Sequence, residues 1–159
     1  MTGIQFNARE ALKALDGMAA GLATTVKNNT VERIAKNVYA GAYERLSGPR
    51  IPKKDWYRSP LAGSYPVPVR LGHLRRALFM ILPGGVTVGG DGNVPRYNLQ
   101  TGEAYVGDSA EYGWAIHEGL GTRGKGRPYL TDAAQEAIGM APAICEEELA
   151  KEIRKHGLD

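Results

Sequence analysis

The chain has 159 residues, 43% apolar and 23% charged, with a net charge of +3, a near-average globular composition that excludes collagen, coiled-coil and wholly disordered chains. A chain of this size buries roughly 68–70% of its unfolded surface, enough for one core, so a single domain is expected over 1–159. Its longest unbroken apolar run, Ala77 to Leu82, ends at Pro83, far short of the ~18 residues a membrane span needs.

The first expected element is a helix from about residue 8 to 27, where Asn7 and Glu10 form a capping pattern ahead of Leu12, Leu15, Met18, Ala19, Leu22 and Val26. Gly17 and Gly21 lie inside it, and each costs ~1 kcal/mol relative to Ala, so tertiary packing must hold it. Asn28-Asn29 is a break and Thr30 a cap for a second stripe of Val31, Ile34, Ala35, Val38, Ala42 and Leu46. Asn is a weaker breaker than Pro, so one long helix bent at this pair is an equal reading. Ser47-Gly48-Pro49 closes the helical region 1–48.

From 49 to 70 five prolines alternate with Trp56, Tyr57 and Tyr65, which excludes helix for most of the stretch and predicts an extended arm. A sheet region with loops is expected over 71–130. There Leu71 to Leu78 is a short helical turn that delivers a buried strand over Phe79 to Leu82, and Pro83-Gly84-Gly85 turns the chain. Val86 to Val88, Tyr97 to Leu99 and Glu103 to Val106 are further strands of a small antiparallel, hairpin-built sheet. Tyr112 to Glu118 fits a helical turn or a strand, and Gly119 to Gly126 is a Gly-rich basic loop. The C-terminal helix, 131–157, opens on Thr131 or Asp132 and is kinked or restarted at Pro142. Its stripe of Ile138, Ala141, Cys145, Leu149 and Ile153 is expected to face the core, with Cys145 as a small hydrophobe. The fold class is therefore α+β, a small mainly antiparallel sheet flanked by N-terminal helices and a C-terminal helix.

Catalytic chemistry finds no foothold. Cys145 is the only cysteine, so neither an internal disulfide nor a cysteine-based zinc site is available. His73, His117 and His156 are widely separated, and His117-Glu118 lacks the second His of a helical zinc site; no metal and no cofactor is expected. His117 is equally read as a packed or interface histidine. No Gly-x-Ser-x-Gly elbow occurs, and an apolar stripe disfavours a Cys145 thiolate. Gly119 to Gly124 matches G-x-G-x-x-G formally, but Lys125-Gly126-Arg127-Pro128 follows where a dinucleotide site needs a helix. That loop is a mobile element that orders against a neighbour, or a phosphate-binding nest with Arg123, Lys125 and Arg127. An enzyme is not expected. Met1-Thr2-Gly3 is followed by no secretory leader pattern, so a cytoplasmic site of synthesis is the default.

Charge is unevenly spread, with seven basic residues against one acidic over 49–76 and three against seven over 132–159. Opposite signs on two surfaces suit head-to-tail self-association, while a solvated loop and a solvated helix face explain the same numbers.

Three segments in order carry a resemblance: Leu71-Gly72-His73-Leu74-Arg75-Arg76-Ala77-Leu78; Tyr112 with Ala115-Ile116-His117-Glu118 and Gly121-Thr122; and Arg127-Pro128-Tyr129-Leu130-Thr131-Asp132-Ala133. Over about residues 5 to 156 the chain resembles the tail-completion family of long-tailed bacteriophages, also called minor tail, virion-morphogenesis or head-to-tail joining proteins. That family has a Gly-x-Leu-(Arg)-(Arg)-Ser pattern, then Tyr-Ala-x-x-x-Glu-x-Gly-Thr, then Arg-Pro-(Phe/Tyr)-Leu-x-x-Ala. This chain departs from it at Ala77, at Gly113 and by one added residue in Glu118 to Thr122. The resemblance implies a non-enzymatic tail-terminator ring at the head-proximal end of the tail tube. Its expected partners are further copies of itself, a hexamer favoured, the tail tube protein and the head connector or neck proteins. Its place is the virion, after synthesis in the host bacterium's cytoplasm. The interface residues expected are Arg50, Lys53, Lys54, Trp56, Tyr57 and Arg58 on the arm; Arg75 and Arg76; His117 and Glu118; and Arg123, Lys125 and Arg127. The rival reading is a nucleic-acid-binding module using the basic segment 49–76, and it predicts affinity that falls steeply with salt.

Overall fold

The computed structural model describes residues 8–50, 52, 54, 72–91, 94–119 and 126–157, with backbone alone for 8–16 and 18. The fold is α+β: among the described residues there are one long N-terminal helix, a three-stranded antiparallel sheet and two C-terminal helices, with two short helices between.

Helix α1 runs unbroken over Ala8–Arg45, about 57 Å at 1.5 Å per residue. The Asn28-Asn29 pair does not interrupt it, because a distant turn holds the helix there. Asn28 Oδ1 accepts the Gly102 N–H at 2.7 Å, and Lys27 Nζ donates to the Thr101 carbonyl at 3.2 Å. Thr30 is thus no cap; it lies mid-helix, buried, with its hydroxyl unpaired. The stripe of Ala35, Val38, Ala42 and Leu46 is buried as its spacing predicts.

The short helix α2 (His73–Ala77) enters from Gly72 in the left-handed region at φ 75° and runs directly into β1 (Leu78–Ile81), buried at all four positions. Strand β1 is central, flanked by β2 (Thr87–Gly89) and β3 (Tyr105–Asp108) in the order β2-β1-β3. Met80 pairs with Val88 on one side and with Val106 on the other. Met80 and Leu82 pack on Ala35 and Tyr39 of α1. On the other face Phe79 stacks on Tyr105, and Tyr105 on Tyr97, with centroids 5.7 Å and 4.3 Å apart. Residues 97–99, expected as a strand, form none: this segment is held by ring stacking where a ladder was expected. Strand β3 begins two residues later than expected because Glu103 is spent on a turn, accepting the Gln100 N–H at 2.9 Å.

Tyr112 to Glu118 resolves as helix α3 (Gly113–Glu118). The C-terminal region is two helices, α4 (Tyr129–Gly139) and α5 (Ala141–Lys155), with Pro142 in the first turn of the second as a restart requires. Helix α4 begins ahead of Thr131, after Pro128. It lies close on α1: a Cβ added to Gly41 would stand 3.3 Å from that of Ala133. Arg45 and Glu136 pair across the same contact.

Helix α5 corrects one expectation in part, since Ala141 and Ile153 of the expected stripe are half-buried. Its buried positions are Ile144, Glu148 and Glu152, while Cys145 and Leu149 are exposed, as is Ile138 at 62%. The helix is turned by one residue, about 100°, from the stripe its apolar pattern predicts. The cause is electrostatic: Arg33 of α1 reaches the Glu148 carboxylate at 2.8 Å and Lys151 reaches it at 2.7 Å, so that carboxylate goes inward with its partners.

Candidate assembly surface

The three sequence motifs, far apart along the chain, meet in one cluster. Leu74 and Leu78 of the first, Ile116 of the second, and Tyr129, Leu130 and Ala133 of the third pack together with Val38, Ala42 and Leu46 of α1. Tyr129, 1% exposed, anchors the meeting point. Its hydroxyl donates to Asp108 Oδ2 at 2.8 Å, and the Ala110 N–H donates to Asp108 Oδ1 at 2.7 Å. Burial pushes the Asp108 carboxyl above its ordinary range, against the two donors, which favour its charge.

His117 sits over Tyr129 edge to face, centroids 5.7 Å apart. Its Nδ1 is 3.0 Å from Glu118 Oε1 and its Nε2 is 3.1 Å from Thr131 Oγ1. With both nitrogens engaged, the ring fastens α3 to the first turn of α4. The Arg127 N–H donates to the Ile116 carbonyl at 3.0 Å, which holds the end of α3 beside the start of α4. Helix α3 buries Gly113 against Asp108 and Tyr129 and turns Trp114 outward, 64% exposed, beside Tyr112 at 46%.

Among the expected interface residues, His117, Glu118 and Arg127 are therefore brought together at the α3–α4 junction. Arg75 and Arg76 form a second set on α2. The Arg75 guanidinium lies 5.1 Å from the centre of the Tyr43 ring, a cation–π contact, and Arg76 Nε stands 3.7 Å from Asp91 Oδ2. Arg50 and Lys54 are exposed. Lys53, Trp56, Tyr57, Arg58, Arg123 and Lys125 lie outside the described residues.

Trp114 is the surface residue that sequence reasoning missed. Its segment fitted strand and helix equally; in a helix Trp114 and Ile116, two positions apart, fall on opposite sides, so an inward Ile116 requires an outward Trp114. The sheet adds apolar surface through Val86 and Val88, 59% and 39% exposed. Both β2 and β3 are edge strands of the described sheet, and unpaired strand edges are templates for association. Among the described residues no group of three His, Cys, Asp or Glu is placed to hold a metal. No described helix is long and apolar enough to cross a membrane. Comparisons of the chain with protein-family models, curated proteins and solved structures return no match.

Proposed function

We propose that this protein is a structural component of a phage virion, a tail-completion or tail-terminator ring at the head-proximal end of the tail tube that joins the tail to the head connector. The observation that carries the reading is the convergence of the three family-like motifs into a single packed unit around Tyr129. Residues that resemble the family's signature are the ones that hold the sheet, α3 and α4 to α1. Outward from that unit stand Trp114 and Tyr112, and amphipathic aromatics of this kind commonly dominate interface energetics.

The arm 49–70, with Trp56 and Tyr57 as anchors and Arg50, Lys53, Lys54 and Arg58 around them, engages a neighbouring subunit or the next ring. Deleting 50–62 tests this. The expected result is loss of the homo-oligomer by light scattering, with helix content kept by circular dichroism, and particles whose heads and tails fail to join. An unchanged ring with virions fully tailed refutes it. Binding of DNA by the intact protein, weakening steeply as salt rises, supports the nucleic-acid module instead.

A further inference from the structure

The ladder bonds of β1 and β2 fix where the backbone groups of β2 point. Met80 stands opposite Val88, the Gly90 N–H donates to the Leu78 carbonyl at 2.8 Å, and the Leu82 N–H donates to the Val86 carbonyl at 2.8 Å. Val86, Val88 and Gly90 thus bond toward β1. In a planar trans peptide the N–H points opposite to the carbonyl before it, so the Thr87 and Gly89 N–H groups point off the sheet. No described residue accepts them. All three residues of β2 are exposed, and no side chain from Leu78 to Gly90 carries a charge. An uncharged, exposed edge of this kind is a template for another strand. Strand β3 is less bare: it ends on Asp108, which the Ala110 N–H and the Tyr129 hydroxyl engage.

The sequence carries a segment suited to such an edge, Tyr65-Pro66-Val67-Pro68-Val69, which lies outside the described residues. Successive residues of a strand bond to alternate sides. Tyr65, Val67 and Val69, all good strand formers, therefore offer N–H and C=O to one neighbour. Pro66 and Pro68 offer no N–H to the other, the pattern of an outermost strand. Each proline also holds the residue before it in the extended region.

Reach favours the same chain. Val69 stands three residues before Gly72, where α2 is entered. Arg76, in the last turn of α2, places its Nε 3.7 Å from Asp91 Oδ2, two residues past the end of β2. From Gly72 to Arg76 the helix rises about 6 Å, and the seven residues from Tyr65 to Gly72 span up to about 23–25 Å.

We infer that the segment 65–69 lies as a fourth strand on the β2 edge of its own chain, bonding through Tyr65, Val67 and Val69 to Thr87 and Gly89, with Pro66 and Pro68 on the outer side. This stands apart from the virion reading. It sets the root of the arm beside β2 and withholds that edge from other copies, because the new outermost strand lacks donors at two successive outward positions.

Hydrogen exchange on the full chain tests the pairing. The Thr87, Gly89 and Val67 amides are expected to exchange at least ~10-fold more slowly than solvent-exposed amides. Val67→Pro removes the central donor and is expected to return Thr87 and Gly89 to the exposed rate, with helix content by circular dichroism kept. A second measurement does not depend on that variant folding. In the full-length Tyr65→Cys/Thr87→Cys/Cys145→Ser variant, which loses the chain's one native cysteine, a short bis-maleimide is expected to link positions 65 and 87 within single chains. Unprotected Thr87 and Gly89 amides in the wild-type chain overturn the proposal, as do protection that survives Val67→Pro and the absence of a link. Covalent multimers overturn it as well, and assign the edge to a second copy.

Discussion

Asp108 and Glu148 are carboxylates drawn out of water, and their surroundings push them in opposite directions. Burial raises the Asp108 pKa above its ordinary 3.8 despite the Ala110 N–H and Tyr129 hydroxyl. Lys151, with Arg33, holds Glu148 below its ordinary 4.5 against the cost of burial. The linkage follows from these signs. For Asp108 the favourable contribution is complete below the unfolded pKa and is lost as pH rises through the higher folded value. For Glu148 it is present above the unfolded pKa and is lost as pH falls through the lower folded value. Urea titrations between about pH 3 and 7 should therefore separate two variants. The stability advantage of wild type over Asp108→Asn shrinks as pH rises, and its advantage over Glu148→Gln shrinks as pH falls. Curves parallel to wild type for both variants would contradict these environments.

At the scale of elements, the β2 edge of the sheet depends on how closely its backbone passes its neighbours. Gly89 has φ 77°, and a Cβ there would lie 2.6 Å from the Leu78 carbonyl oxygen and 2.8 Å from the Tyr39 hydroxyl. Gly84, φ 89°, has open space around it. Left-handed backbone costs a non-glycine residue roughly 1–2 kcal/mol, so Gly84→Ala should lose about that much, and Gly89→Ala about 2–4 kcal/mol once the clash is added. Equal midpoints in denaturant for the two variants would count against the close approach of β2 to α1. Gly21 lies in open space on α1, and Gly21→Ala should stabilise by up to about 1 kcal/mol.

Much of this layer was legible from periodicity and punctuation. The stripe from Ala35 to Leu46, the buried run of β1 and the restart at Pro142 follow from spacing and from proline alone. What failed was set by partners distant in sequence. Asn28 and Lys27 are fastened by the turn at Thr101 and Gly102, which no local pattern announces. Helix α5 hides carboxylates in place of its apolar stripe because Arg33, 115 positions from Glu148, waits on α1. The α3–α4 junction was half legible: its motifs were visible in sequence, but the bonds of His117 and the outward Trp114 required the helix to be known.

At the scale of the whole molecule, the basic residues of 49–76 and the acidic excess of 132–159 place opposite charge on two parts of one chain, which the proposed head-to-tail contact between copies would use. Under the same proposal the exposed Trp114 on α3, the β3 edge of the described sheet and the outward apolar side of α5 offer further contact surface. The proposed role requires no transformation of a substrate. The direct measurement is a cryo-EM reconstruction of phage particles carrying this chain. The account predicts a closed ring of copies between tail tube and head connector, each copy's arm reaching its neighbour. Density for the chain on the packaged nucleic acid, or its absence from purified particles, would contradict it.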